Sequence, residues 1–137
     1  MEITKGKYDK NFLANPLVKS EFVKYRIICQ GGKTGLGGFM ENYFLRWNCI
    51  TRPVSMEETH THNYDEIFQF FGANAEDISD FDAVIEMTMG PEKEIYVITE
   101  PMIVYVPKGL LHAPLNFKVI NKPVIFLNVA NTSGYRQ

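Results

Sequence analysis

What most limits the fold of this chain is a recurring alternation of strand-length apolar runs with turn residues. Residues 43–51 (YFLRWNCIT) are aromatic and β-branched and close at Pro53 and Ser55. Residues 66–71 (EIFQFF) end at Gly72, and 83–89 (AVIEMTM) give way to Gly90-Pro91-Glu92-Lys93. Residues 94–99 (EIYVIT) stop at Glu100-Pro101, 102–106 (MIVYV) stop at Pro107, and 124–130 (VIFLNVA) come last. Runs of this length, punctuated this way, predict an all-β sandwich or barrel. Helical signal is thin. Residues 74–81 (NAEDISDF) carry an N-cap type residue at Asn74 with acidic residues following, which predicts one or two helical turns. A further short turn is expected before Asn15-Pro16.

With 137 residues the chain has the length of one domain, and it can bury roughly two-thirds of its unfolded surface without staples. Hydrophobic residues make up 45% and charged residues 22%, a globular balance. The net charge of −2 is spread without basic runs, which argues against a nucleic-acid surface. No run approaches the ~18–20 apolar residues of a membrane span, and the start, MEITKGKYDKNF, lacks the apolar core of a signal peptide. Cys29 and Cys49 are expected to be reduced and structural, with the cytoplasm as compartment. Glycines 31, 32, 35, 37 and 38 suggest a mobile connection. The QGGKTGLGG run there lacks the spacing of a phosphate loop, since Lys33 and Thr34 follow no matching glycine pattern and open no helix. The expected organisation is an N-terminal arm and glycine-rich loop over 1–38, a barrel over 39–132, and a tail over 133–137.

Chemistry concentrates on the three histidines. His60 and His62 are one residue apart, and on a strand such a pair faces one side. Asn63-Tyr64-Asp65 is expected to turn the chain so that Glu66 enters on the next strand. His112 follows Pro107-Lys108-Gly109-Leu110-Leu111, where proline and glycine fix a tight turn. Three imidazoles and a carboxylate suit one divalent transition metal, Fe, Mn, Ni, Zn or Cu, better than Ca or Mg. Such a set leaves positions open for water or a chelating ligand.

The runs HTHNYDE-IFQFFG and PKGLLHAPLN resemble the two signature motifs of the cupin superfamily. His60, His62, Glu66 and nearly Gly72 fit the first; Pro107, Gly109, His112 and Asn116 fit the second. Val54 and Pro101 stand where the family's leading glycines belong, and one residue is missing before Gly72. The similarity covers about residues 40–130 and extends to a group of small bacterial cupins of unassigned activity. It implies a double-stranded β-helix, or jelly-roll, barrel with one or two short helices. It also implies a metal held by His60, His62, Glu66 and His112, with Asn116 structural.

Around that centre, Trp47, Phe44, Tyr43, Phe68, Phe70 and Tyr105 are most simply core. Arg46 sits among apolar neighbours; aimed into the barrel mouth it would grip a carboxylate, and on the outer face it would be solvated, as would Arg52. Arg46, Tyr64 and Tyr105 are the candidate substrate contacts, the tyrosines by chemistry alone. Two functions are open. One is a divalent-metal-dependent enzyme, dioxygenase-like or isomerase/decarboxylase-like, acting on a small polar molecule. The other is a non-catalytic binder or sensor that grips its ligand through the same metal. An acid or base outside the ligand set would distinguish them. A homodimer through the N-terminal arm or an exposed sheet edge is expected.

Overall fold

The computed structural model describes residues 6–31 and 39–132. Residues 1–5 and 32–38 of the expected arm and glycine-rich loop, and the tail over 133–137, lie outside the described residues. Ten strands follow in order: β1 (Leu17–Val18), β2 (Tyr25–Gln30), β3 (Phe44–Ile50), β4 (Val54–Met56), β5 (Glu66–Gly72), β6 (Ala83–Met89), β7 (Glu94–Ile98), β8 (Met102–Val106), β9 (His112–Ile120) and β10 (Val124–Ala130). They form a six-stranded sheet, β1-β2-β3-β10-β5-β8, packed against a four-stranded sheet, β4-β9-β6-β7. Every pairing is antiparallel. The architecture is an all-β, two-sheet jelly roll. No helix among the described residues is long and apolar enough to cross a membrane.

The pleat sends alternate residues inward. On β5 these are Glu66, Phe68, Phe70 and Gly72; on β10 they are Val124, Phe126, Asn128 and Ala130, all buried. The centre of the core is aromatic. Phe70 stacks on Phe126 at 5.0 Å between centroids, Phe68 meets Phe126 edge-on at 5.5 Å, and Phe117 leans on both Phe70 and Phe126. Such offset and edge-on pairs add to the gain from area burial. Gly72 ends β5 because the chain returns over it: a Cβ there would stand 2.3 Å from the Asp80 carbonyl oxygen.

Several expectations need correction. The only helical turn among the described residues is a 3-10 turn at Asp9–Asn11, and residues 74–81 form no helix. Asn74 Oδ1 accepts from the Glu76 N–H and Asp77 Oδ1 from the Ser79 N–H, each two residues on. These side chains offer the backbone local partners that replace helical ones, so two successive turns form instead. Of the aromatic residues expected in the core, Trp47 and Tyr105 lie outside, 42% and 58% exposed, because β3 and β8 turn those odd-numbered positions away from the barrel.

β9 is a strand in spite of Pro114. Between the pairs Met87↔Leu115 and Met89↔His112 it carries two residues, Ala113 and Pro114, against one on β6. A bulge is where a sheet tolerates a residue with no N–H to donate. Ala113 takes a left-handed φ of +78°, and the Ala113–Pro114 bond is cis.

Truncating the central aromatic should show how much of the fold rests on that cluster. Phe126→Ala is expected to lower unfolding stability by about 3–5 kcal/mol, read as a fall in the urea midpoint at unchanged m-value. A loss below about 1 kcal/mol would place the packing energy elsewhere.

Candidate metal centre

His112 opens β9, and its backbone forms a reciprocal bridge with His60: each N–H donates to the other's carbonyl at 3.0 Å. The Gly109 N–H donates to the His62 carbonyl at 2.9 Å. Residues 107–112 are thus stitched by main chain to residues 60–62. The turn that permits this closes from the Leu110 N–H to the Pro107 carbonyl, and Gly109 takes a φ of +88°, a value that strains any L side chain. The strand expected beneath His60 and His62 is absent. His60 makes one isolated bridge and His62 lies in a loop, so main-chain clamps rather than strand periodicity bring the two imidazoles together. Asn63 and Tyr64 bend the chain as expected, and Glu66 begins β5.

One ring nitrogen from each of His60, His62 and His112 lies within 4.8 Å of the other two. The His112 Nδ1 meets the Leu110 carbonyl at 2.9 Å, and the His60 Nδ1 meets the Glu58 carbonyl. A carbonyl oxygen only accepts, so both Nδ1 atoms carry hydrogen, and each neutral ring then keeps its lone pair on Nε2. Glu66, 0% exposed, places Oε1 3.6 Å from the Nε2 of both His62 and His112. Its Oε2 accepts a hydrogen bond from Asn128 Nδ2 at 3.1 Å.

No family model matches the chain, and no curated protein matches it in sequence. Solved structures do match in shape. An RmlC-like cupin from Shewanella frigidimarina is 12% identical, covering 82% of this chain and 78% of its own, with a TM-score of 0.50. An oxalate oxidase in complex with the substrate analogue glycolate is 12% identical over 80% of this chain and 52% of its own, TM-score 0.52. Vicilin from hazelnut, Corylus avellana, is 12% identical over 92% and 34%, TM-score 0.56. The chain has the cupin fold. It spans about half the length of the oxalate oxidase and about a third of the vicilin.

The residues of this site fit a metal on their own chemistry. His60 Nε2, His112 Nε2 and Glu66 Oε1 are buried without a hydrogen-bond partner. Unpartnered polar atoms, and a buried carboxylate above all, are costly unless something answers them. Ligands about 2.0–2.1 Å from one cation stand roughly 3–3.5 Å apart, close to the 3.6 Å between Glu66 and two of the imidazoles. Burial holds the His62 imidazole below its ordinary pKa, with the Glu66 carboxylate opposing. Burial also works to lower that of His112, but the Glu66 carboxylate and the Leu110 carbonyl outweigh it, and the net shift is upward.

The candidate substrate residues divide by place. Tyr64 stacks on His62 with ring centroids 4.4 Å apart. Arg46 points inward from β3; its Nε donates to Asn128 Oδ1 at 3.1 Å, and a terminal nitrogen stands 3.6 Å from Glu57 Oε1. Tyr105 is not brought to the site: its hydroxyl donates to Asp65 Oδ1 on the outer surface. Arg52 is exposed, as expected of it on the outer face, and donates to the Glu21 carbonyl. Glu57 is a site residue that sequence reasoning passes over. Its side chain is 12% exposed, with Oε2 3.8 Å from His60 Nε2, and its backbone takes a φ of +65°. The only sequence signal is an acidic residue three before the first histidine. A cavity of about 630 Å³ also opens between β6–β7 and β8, walled by Met87, Met89, Met102 and Val104, and no histidine lines it.

Metal affinity should fall on acidification, since a protonated imidazole cannot ligate. His112, its pKa raised, keeps its proton to a pH above the ordinary imidazole value of ~6.5. Weakening should therefore begin above that value at about tenfold per pH unit, and steepen as the remaining imidazoles protonate. Chelator competition between pH 5 and 8 reads this, and a flat affinity would show that the histidines are not ligands.

Proposed function

We propose that this cupin is a divalent-metal-dependent enzyme acting on a small, oxygen-rich, anionic molecule. The metal would be held by His60, His62, His112 and Glu66. What supports catalysis over simple capture is a pair of charged groups outside that set, Glu57 and Arg46, standing 3.6 Å apart beside the histidines. A site made only of ligands and apolar walls would favour a binder or sensor.

The parts would divide the work as follows. His60 and His112 present their Nε2 lone pairs without a tautomer change, because carbonyls hold their Nδ1 hydrogens. A bound Fe, Mn, Ni, Cu or Zn ion would supply Lewis-acid polarisation of a substrate oxygen, and with a redox-active metal the fold's dioxygenase-like chemistry is open as well as isomerisation or decarboxylation. Arg46 brings positive charge toward which a substrate carboxylate would be drawn. Glu57 Oε2 would accept or return a proton at the edge of the site. Tyr64, flat against His62, would limit where a ligand can lie. Small carboxylates are the ligand class; the oxalate oxidase of the same fold contains one, glycolate.

The protein should purify with about one equivalent of transition metal. When it is reloaded with each metal and screened against small hydroxy- and keto-acids, turnover should appear and be lost in Glu57→Gln at unchanged metal content. Turnover that survives in Glu57→Gln would remove Glu57 from the chemistry. Ligand capture with no turnover under any metal would replace the enzyme by the binder, and a metal-free protein that cannot be loaded would end both readings.

Assembly as a homodimer belongs to the same proposal. The outer face of the six-stranded sheet supports it better than a sheet edge does: Ile27, Trp47 and Leu127 lie side by side in register, and so do Leu45, Val129 and Ile67. Antiparallel sheets with one wet face alternate apolar and polar residues, and an apolar outer face marks an association surface. Cys29 and Cys49, both free thiols, fit a cytoplasmic setting. Sedimentation should give a dimer that Trp47→Lys with Leu127→Lys converts to monomer; a monomeric wild type would refute it.

A further inference from the structure

We infer that Asn128 and Arg46 are positioning residues that decide which oxygen of Glu66 faces the imidazoles of His62 and His112. This rests on the metal-binding reading above and extends it to residues outside the ligand set.

Asn128 lies on the inner face of β10, directly opposite Arg46 on β3 and Phe68 on β5, and diagonal to Glu66. Both Asn128 and Glu66 are 0% exposed, so no water competes for their hydrogen bonds. A side-chain amide has one accepting and one donating end, and a guanidinium only donates. Arg46 Nε, donating at 3.1 Å, therefore fixes the amide with Oδ1 toward β3. The amide nitrogen is left pointing at β5, where it donates to Glu66 Oε2 at 3.1 Å. Oε2 is taken, the carboxylate cannot rotate freely, and Oε1 is the oxygen turned to His62 and His112 at 3.6 Å. At its other end Arg46 approaches Glu57 Oε1, and Glu57 Oε2 stands 3.8 Å from His60 Nε2. The contacts thus run as one chain, from Glu66 through Asn128, Arg46 and Glu57 to His60.

The molecule contains its own control. On the same inner face, Arg26 Nε donates to Asn48 Oδ1 at 2.7 Å, the same pairing of residue types. There the amide nitrogen donates to the Phe126 carbonyl instead of a carboxylate, at 3.1 Å. Both asparagines are fully buried, so loss of either should cost stability. Only loss of Asn128 should change the metal.

The test uses the full chain, with Zn(II) affinity read by chelator competition and ligand geometry read from the visible bands of the Co(II)-loaded protein. Asn128→Ala and Arg46→Lys should each weaken Zn(II) binding about 10- to 100-fold, and both should move the Co(II) bands. The double variant should be no weaker than the worse single one, because the two residues act in series. Asn48→Ala should lower the urea midpoint and leave affinity and bands unchanged. Arg46→Lys keeps the charge and most of the bulk, so it carries the test if Asn128→Ala does not fold. Wild-type affinity and bands in both site variants would overturn the inference, as would an equal loss of affinity in Asn48→Ala. Failure of the wild type to take up any metal would instead overturn the metal centre itself, a separate and distinguishable result.

Discussion

Two hydrogen bonds between the backbones of His60 and His112 hold the site together. Without them the histidines belong to a loop and to the start of a strand that are far apart in sequence, and ordering such segments costs roughly 1–2 kcal/mol per residue. With them, and with the bond from Gly109 to His62, the imidazoles are delivered to one place by main chain alone. The bulge at Ala113 and Pro114 serves the same end. It lets β9 resume its ladder after His112 has been turned into the barrel, and bulges often sit where a side chain must be re-aimed.

The strands that were legible are those whose two ends carry their own punctuation. Residues 83–89, 102–106 and 124–130 stand in the sequence with the bounds they have in the fold, and Gly90, Pro101 and Pro107 admit no continuation of the first two. β9 was not legible: Pro114 reads as a break, and only its partner strand makes room for it. β2 was not named as a strand: Arg26 and Gln30 interrupt its apolar run, and only their register beside β3 accounts for them. Residues 74–81 looked helical because Asn and Asp serve helix starts and tight turns equally well, and the choice between them depends on where the chain must go next.

The candidate site divides in a similar way. Its three histidines and Glu66 could be named because metal-ligand types at motif spacing are informative by themselves. Glu57 could not, since its place depends on a left-handed backbone that no local pattern announces. Arg46 had two readings, and the deciding fact is its register opposite Asn128. Asn128 itself gave no signal in the run VIFLNVA, where it passes for a minor interruption of an apolar strand. Buried polar groups of this kind are specified by partners across the sheet, so only pairing reveals them.

The clamp between the 60–62 and 107–112 segments has a consequence for descent. Amide and carbonyl groups are the same in nearly every residue, so the clamp asks nothing of Thr61, Lys108 or Leu111, and those positions can drift with little penalty. Over long divergence such a centre would keep its shape after most of its letters had changed. Likeness in shape to solved structures at 12% identity fits that tolerance: the same path of the chain is reached with most of its letters different.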